Sequence, residues 1–140
     1  MNFISSTASA FVPASHEDLA NPGVLKRVIA TKADFMAGQV QMLNWAQLPV
    51  GSSFQPHYHE DMQEVFVLLC GTVTMMISNR SDSATPAFQA TMKQVKMKRG
   101  DSVIINPDEI HEMRNIGEDV AEFIVFGISS QKGGKTVVIS

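Results

Sequence analysis

The 140-residue sequence contains one cysteine, one tryptophan and one tyrosine, and no long hydrophobic run. A single cysteine excludes a disulfide framework within the chain and suits a reducing compartment. No apolar segment approaches the roughly 18–20 residues that span a bilayer, so a transmembrane helix is excluded. Residues 1–20 lack a basic segment and are interrupted by Pro13 and His16, so we expect no secretory signal and a cytoplasmic location.

The sequence also lacks an excess of positive charge. It has 11 basic and 14 acidic side chains, a net charge of −3 and a pI of about 5.7, which argues against nucleic acid as a partner. Its 44% hydrophobic content is enough for one core. We therefore expect a soluble single domain over residues 21–140. A flexible or loosely docked arm, rich in Ser, Ala and Thr, precedes it over residues 1–20.

Short apolar segments separated by Gly, Pro, Asn and Asp turns predict β-strands. These segments contain many β-branched residues, and no helical period is sustained beyond a couple of turns. The pattern predicts an all-β sandwich or barrel. The predicted strands cover Val24–Ile29, Gln39–Leu48, Val65–Leu69, Val73–Ile77, Phe88–Met97, Ser102–Ile105, Ile110–Arg114, Ala121–Ile128 and Thr136–Ile139.

Two histidines and a glutamate form the first candidate site. In a strand, residues i and i+2 face the same side, so His57 and His59 direct their imidazoles towards one point. Glu64 opens an apolar strand, where an unpaired buried carboxylate is costly. A metal ion held by the two histidines would supply its partner. The alternative is that His-x-His is a surface or packed pair without a ligand role.

A second candidate block contains His111, which follows the turn at Pro107 and begins another short strand. Imidazole and carboxylate ligands suit Fe, Mn, Ni, Zn or Co, and the ligand type alone does not choose among them. Three neutral imidazoles and one carboxylate would leave a divalent ion with a net charge of +1. An octahedral ion would keep two positions open for water, O₂ or a bidentate substrate.

Both blocks resemble the conserved motifs of the cupin superfamily. The first resembles cupin motif 1, G-x5-H-x-H-x4-E-x6-G, at every position: Gly51, His57, His59, Glu64 and Gly71. The second, over residues 100–115, resembles motif 2, G-x5-P-x-G-x2-H-x3-N, at Gly100, His111 and Asn115. Asn106 and Asp108 depart from the motif's proline and glycine, although Asp tolerates left-handed turn geometry and Pro107 follows directly.

The resemblance implies a small single-domain (type 2) cupin. Its fold would be a double-stranded β-helix, or jelly-roll barrel, with one divalent transition metal ion in its mouth. The ligands of this ion would be His57, His59, Glu64 and His111.

The parity of the strands predicts the walls of a pocket around this site. If Glu64 points into the barrel, Phe66, Leu68 and Cys70 share its direction, and Met113 shares the face of His111. We predict Phe66, Leu68 and Met113 as pocket residues, the alternative being plain core. Cys70 is expected to be an inert buried thiol.

The remaining predictions concern a dimer and the fourth histidine. Val65, Val67 and Leu69 are apolar and lie on the opposite face of the same strand, so this face needs cover. Residues 20–50 or a second subunit would supply it, and the resemblance favours a homodimer. His16 is expected to be a solvated residue of the arm without a role.

Two main classes of function follow. The first is a metal-dependent enzyme of dioxygenase or isomerase type that acts on a small organic molecule. The second is a non-catalytic module that binds or senses a small ligand or metal. A structural storage protein is a third class, which the full set of candidate ligands disfavours. The sequence offers no general base separate from the ligands, because Tyr58 alternates away from them.

Overall fold

Two antiparallel β-sheets enclose the core of the protein. The computed structural model describes residues 1–84, 88–130 and 135–139. In this part of the chain the strands are β1 (Val12–Pro13), β2 (Leu25–Thr31), β3 (Val40–Leu48), β4 (His57–His59), β5 (Met62–Cys70), β6 (Val73–Asn79), β7 (Lys93–Met97), β8 (Ser102–Ile105), β9 (Glu109–Arg114), β10 (Ala121–Ser129) and β11 (Thr136–Val138). Short 3-10 segments occupy Lys32–Asp34, Met36–Gly38, Arg80–Ala84 and Phe88–Thr91.

The strands form one sheet of six and one of five. The six-stranded sheet has the order β1-β2-β3-β10-β5-β8, and the five-stranded sheet has the order β11-β4-β9-β6-β7. All the strand pairs given by the structure are antiparallel. The predicted all-β jelly-roll is therefore confirmed. Within the described residues, no helix has the length and apolar character needed to cross a bilayer.

The alternation of β5 decides which residues enter the barrel. Met62, Glu64, Phe66 and Leu68 are buried, while the residues between them are partly or fully exposed. The neighbouring β10 alternates in the same way, and its Val125 lies opposite Phe66. Paired residues of antiparallel strands share a face. The inward face of β5 therefore continues onto β10 and meets the core.

The main core fills the space between the two sheets. It consists of apolar side chains from both, including Leu48, Phe66, Leu68, Val73, Met75, Ile105, Met113 and Phe123. A second, smaller cluster packs on the other side of the five-stranded sheet and includes Tyr58, Met76, Phe88, Met92 and Ile110.

At two motif positions the backbone has a positive φ, which favours glycine, asparagine or aspartate. Gly71 has φ +87°, and a Cβ there would lie 2.8 Å from Ala121 Cα, so a larger residue would be strained and crowded. Asp108, which replaces the glycine of motif 2, has φ +64°. The substitution preserves the left-handed turn, as expected for an Asp at this position.

Part of the N-terminal arm is docked on the barrel. Val12 pairs with Lys26, and the Ala14 N–H donates to Val24 O at 3.3 Å. The carboxylate of Glu17, which is 8% exposed, accepts the N–H of Gln55 at 3.2 Å and the N–H of Gly23 at 3.4 Å. Residues 12–17, within the segment expected to be flexible or loosely docked, are therefore fixed by a strand pair and a buried carboxylate.

Candidate metal centre

Four residues from three strands converge at the barrel mouth. His57 and His59 lie on β4, Glu64 lies on β5 and His111 lies on β9. His57 and His111 are direct cross-strand partners. One ligand atom from each of the four residues lies within 4.8 Å of the others, and all four residues are buried. The structure thus brings together the whole set that the sequence predicts.

The spacing of the donor atoms fits a single ion. Glu64 Oε2 lies 2.9 Å from His111 Nε2, and Glu64 Oε1 lies 3.1 Å from His59 Nε2. Bonds of about 2.0–2.2 Å to one ion, meeting at right angles, place neighbouring donors about 3 Å apart. His59 Nε2 is buried and, among the described residues, has no aligned hydrogen-bond partner. The residues present therefore fit a divalent metal ion.

Backbone carbonyls determine which nitrogen of two histidines faces the site. His57 Nδ1 lies 2.6 Å from Gln55 O, and His111 Nδ1 lies 3.1 Å from Glu109 O. A carbonyl oxygen only accepts, so each Nδ1 carries a proton and donates it. Nε2 is then the nitrogen left to face the cluster: in His111 its N–H donates to Glu64 Oε2 at 2.9 Å, and a metal ion bound there would displace this proton. His59 Nδ1 lies 3.4 Å from Thr136 Oγ1.

The protonation states also suit a metal ligand set. Burial alone raises the pKa of Glu64, but the hydrogen bond with His111 and the nearby His59 outweigh it and hold the pKa well below its usual range. Burial, followed by the neighbouring His111 and His16, lowers the pKa of His57 well below 6.5. Near neutral pH the carboxylate is ionised and His57 is neutral, which are the forms that bind a metal ion.

A cavity of ≈ 380 Å³ opens next to the cluster. This volume lies within the range of small-molecule sites. His57, His59 and Glu64 form part of its wall. The remaining wall combines the apolar residues Ala14, Val24, Met42, Ala46, Phe54, Met62, Phe66, Phe123 and Val125 with the polar residues Ser15, His16, Lys26, Lys32, Gln41, Asn44 and Thr136.

Of the three predicted pocket residues, one lines the cavity and two do not. Phe66 lines the cavity. Leu68 and Met113, described residues that are 1% and 0% exposed, belong to the core between the sheets instead. They share the inward face with the ligands, as parity predicts. They lie deeper along the strands, however, where the barrel is filled by side chains.

The prediction that His16 is a solvated residue of the arm is wrong. Its side chain is 16% exposed and lines the cavity, and its ring centroid lies 4.2 Å from that of His57. The position of His16 depends on its neighbour Glu17, whose carboxylate bonds to Gln55, 38 residues along the chain. Because this contact joins residues 38 positions apart, no pattern in the local sequence predicts it.

The prediction of a buried Cys70 is also wrong, because Cys70 is exposed. The pairing of β5 with β10 shifts between Glu122 and Phe123, where Cys70 and Leu68 are their respective partners. A β-bulge of this kind interrupts the alternation of the strand. The parity that holds from Glu64 to Leu68 therefore fails at the last residue of β5.

Comparisons with known proteins agree with this architecture. Three solved structures resemble the chain: a predicted oxalate decarboxylase from Thermotoga maritima, the polyketide cyclase RemF from Streptomyces resistomycificus, and a recombinant oxalate oxidase in complex with glycolate. The first has 22% identity and a TM-score of 0.73 and covers 92% of this chain and 100% of its own. The second has 16% identity and a TM-score of 0.67, with coverages of 100% and 87%. The third has 19% identity and a TM-score of 0.64, with coverages of 83% and 55%.

At these identities the likeness concerns the fold. No curated protein matches the sequence. The family model of the cupin domain matches residues 44–127, which contain all four converging residues and more than half of the chain. This chain therefore belongs to the cupin family.

Proposed function

We propose that this protein is a metal-dependent enzyme that acts on a small organic acid. The observation that carries the proposal is the set of four buried donors, His57, His59, Glu64 and His111, converging within 4.8 Å at the wall of a cavity. A divalent ion bound there would act as a Lewis acid towards substrate oxygens. The donor set suits Fe, Mn, Ni, Zn or Co.

The charges and apolar groups of the cavity favour an anionic substrate. Lys26 and Lys32 line it, against the one carboxylate of Glu64, so the wall attracts negative charge. Phe54 and Phe66 stack with ring centroids 6.1 Å apart, and their centroids lie 5.9 Å and 5.7 Å from that of His111, so apolar rings flank this side of the cluster. The named activities of the structural neighbours, oxalate oxidation and decarboxylation, support chemistry on small carboxylic acids.

For the reaction we propose the dioxygenase or the isomerase type. In both, the residues of this chain would bind and orient the substrate rather than react with it covalently. Because the Nδ1 atoms of His57 and His111 donate to carbonyls, their rings are held at fixed angles towards the substrate space. Such positioning supplies a large part of catalysis when the reacting groups are already aligned.

Metal analysis of purified variants tests the metal site. We expect near-stoichiometric divalent metal in the unmodified protein after chelator-free purification, and less than about a tenth of it in His59→Ala. Tyr58→Phe is the matched control, because Tyr58 lies between the two histidines but packs in the second cluster, away from the site. Metal-free protein in both the unmodified form and the control would disprove the assignment.

A turnover assay then separates the two classes of function. Metal-loaded protein is incubated with a panel of small organic acids while product and O₂ consumption are followed. Turnover that disappears in His111→Ala supports the enzyme. A ligand-dependent rise in Tm without product would instead favour a non-catalytic binding or sensor module.

We also propose that the protein forms a homodimer through the outer face of its six-stranded sheet. Val65, Val67 and Leu69 on β5 are only partly buried there, and Ile124 and Phe126 continue the apolar surface on β10. An apolar sheet face of this kind is typical of a protein interface. Light scattering should give about twice 15.3 kDa for the unmodified chain and the monomer mass for Val67→Lys. A monomeric unmodified chain would contradict the proposal.

A further inference from the structure

The ring of His59 is oriented differently from the rings of the other two candidate histidine ligands. His57 and His111 each donate from Nδ1 to a backbone carbonyl of their own segment. In the part of the chain that the structure describes, Nδ1 of His59 instead contacts a side chain, with 3.4 Å between this atom and Oγ1 of Thr136. Thr136 lies 77 residues further along the chain. The third imidazole therefore depends on a distant segment for its orientation.

The position of the Thr136 hydroxyl follows from the register of the short strand β11. This strand forms an edge of the five-stranded sheet and pairs with β4, where Thr136 lies directly opposite His59. Directly opposed residues of an antiparallel pair share a face, and both of these residues line the cavity. A shift of the register by one residue would turn Thr136 to the other face of the sheet and remove the contact.

Two kinds of contact hold β11 in this register. The N–H of Ile139 donates to the carbonyl of Pro56 at 2.9 Å, immediately before β4 begins. Val137 and Ile139 pack against the second cluster, on the other side of the sheet from the cavity. Apolar packing on one face therefore fixes the strand that presents a hydroxyl to His59 on the other face.

The hydrogen bond between His59 and Thr136 has only one possible direction once an ion is bound. Without an ion either atom can donate, because a hydroxyl and a neutral imidazole nitrogen can each donate or accept. The nitrogen on the side of the cluster is Nε2, which lies 3.1 Å from Glu64 Oε1. With an ion on Nε2 the neutral ring carries its proton on Nδ1, so Nδ1 donates and Thr136 Oγ1 accepts.

From this geometry we infer that Thr136 is a positioning residue of the metal centre, which orients His59 through the proton on Nδ1. This inference rests on the proposed function, in which an ion binds at His59 and its neighbours. Because the same contact joins β11 to β4, metal binding and the docking of β11 are coupled. Such coupling is reciprocal: the factor that the contact adds to the metal affinity is also the factor by which the bound ion favours the docked strand.

Competition titrations of Co²⁺ against a chelator test the role of the hydroxyl in metal binding. Outer hydrogen-bond partners of metal-binding histidines contribute about 10–100-fold to the affinity. A contact of 3.4 Å belongs at the lower end, so we expect Thr136→Val to bind Co²⁺ about tenfold more weakly. The visible absorption bands of bound Co²⁺ should shift as well, because the third imidazole is no longer held. Thr136→Ala should behave like Thr136→Val, and Thr136→Ser, which keeps a hydroxyl, should restore both affinity and bands.

Val138→Thr is the matched control on the same strand. Val138 shares the face of Thr136 but lies opposite His57, whose Nδ1 already has a carbonyl partner. A hydroxyl in place of a methyl group at this position should leave the Co²⁺ affinity and the bands unchanged. The positioning role would be overturned if Thr136→Val kept the affinity and bands of the unmodified protein, or if Val138→Thr lost as much affinity.

Hydrogen exchange of the Ile139 amide tests the coupling to the strand. This N–H is bonded to Pro56 O in the docked strand, so it exchanges when β11 opens locally. By reciprocity, Zn²⁺ should slow its exchange about tenfold in the unmodified protein and in Thr136→Ser, but not in Thr136→Val. Equal exchange rates with and without Zn²⁺ in the unmodified protein would refute the coupling.

The proposed function fails in a different way. If the Thr136 variants behave as expected but the metal-loaded protein turns over no small organic acid, the enzyme assignment fails and the positioning role of Thr136 stands. An unmodified protein that binds neither Co²⁺ nor Zn²⁺ would overturn both.

Discussion

Replacing Glu17 by alanine should release the docked part of the N-terminal arm. The carboxylate of Glu17 holds three segments together: its own segment of the arm, the turn at Gly23 and the segment at Gln55 that leads into β4. Its side chain is 1% exposed, so water does not compete for these contacts. In Glu17→Ala two backbone N–H groups lose their acceptor.

The two contacts give the magnitude of the effect. The bond from Gln55 N at 3.2 Å is an ordinary charge-assisted hydrogen bond, and that from Gly23 N at 3.4 Å is long and weaker. Hydrogen bonds to charged groups contribute about 1.5–3 kcal/mol, so together we expect a loss of about 3 kcal/mol of unfolding free energy. For a chain of this length that corresponds to a fall in Tm of about 10 °C.

Thermal and urea unfolding of the metal-free protein measure this loss. Glu118→Ala serves as the control, because Glu118 is exposed on a turn, and its Tm should remain within about 2 °C of the unmodified protein. The C=O of Gln55 accepts the Nδ1 proton of His57, so Glu17→Ala should also weaken metal binding about tenfold. An unchanged Tm would show that the carboxylate does not fix the arm.

Two further predictions concern the site and its support. Burial lowers the pKa of His57 well below 6.5, so below pH 6.5 the unfolded chain binds a proton at this residue that the folded chain does not. The free energy of unfolding of the metal-free protein should therefore fall by up to about 1.4 kcal/mol per pH unit as the pH drops from 6.5 to 5. Urea unfolding should show a smaller slope in His57→Asn, and equal slopes in the two proteins would contradict the argument. In Gly23→Ala the new Cβ would lie 1.7 Å from Ser53 O, a backbone atom, so we expect a loss of more than about 3 kcal/mol or failure to fold. A soluble variant with the Tm of the unmodified protein would refute this clash.

The predicted ligands were accessible from the sequence because the rules that place them are local. His57 and His59 share a face by strand parity, and Glu64 follows after one turn. His111 needs the pairing of β4 with β9, which connects residues 54 positions apart. Only the motif spacing anticipates that pairing. The all-β architecture followed from turn residues and short apolar segments in the same local way.

The missed features depend on contacts between distant segments. His16 reaches the cavity because the arm pairs with β2 and because Glu17 binds Gln55, and neither contact leaves a periodic pattern. The exposure of Cys70 comes from a bulge in the β5–β10 pairing, which a single strand does not reveal. Phe66 and Leu68 share one face of β5, but the cavity extends along the strand only as far as Phe66. Leu68 therefore belongs to the core, and strand parity alone does not reveal where the cavity ends.

The carbonyl partners of His57 and His111 lie two residues earlier on the same stretch of chain, at Gln55 and Glu109. The carbonyl that orients each of these imidazole rings therefore lies within the same three consecutive residues as the histidine itself. Gln55 and Glu109 both lie outside the six-stranded sheet, so the residues of that sheet do not supply these two carbonyls. The residues of the six-stranded sheet that line the cavity can therefore change its shape and charge while the orientation of these two rings stays the same.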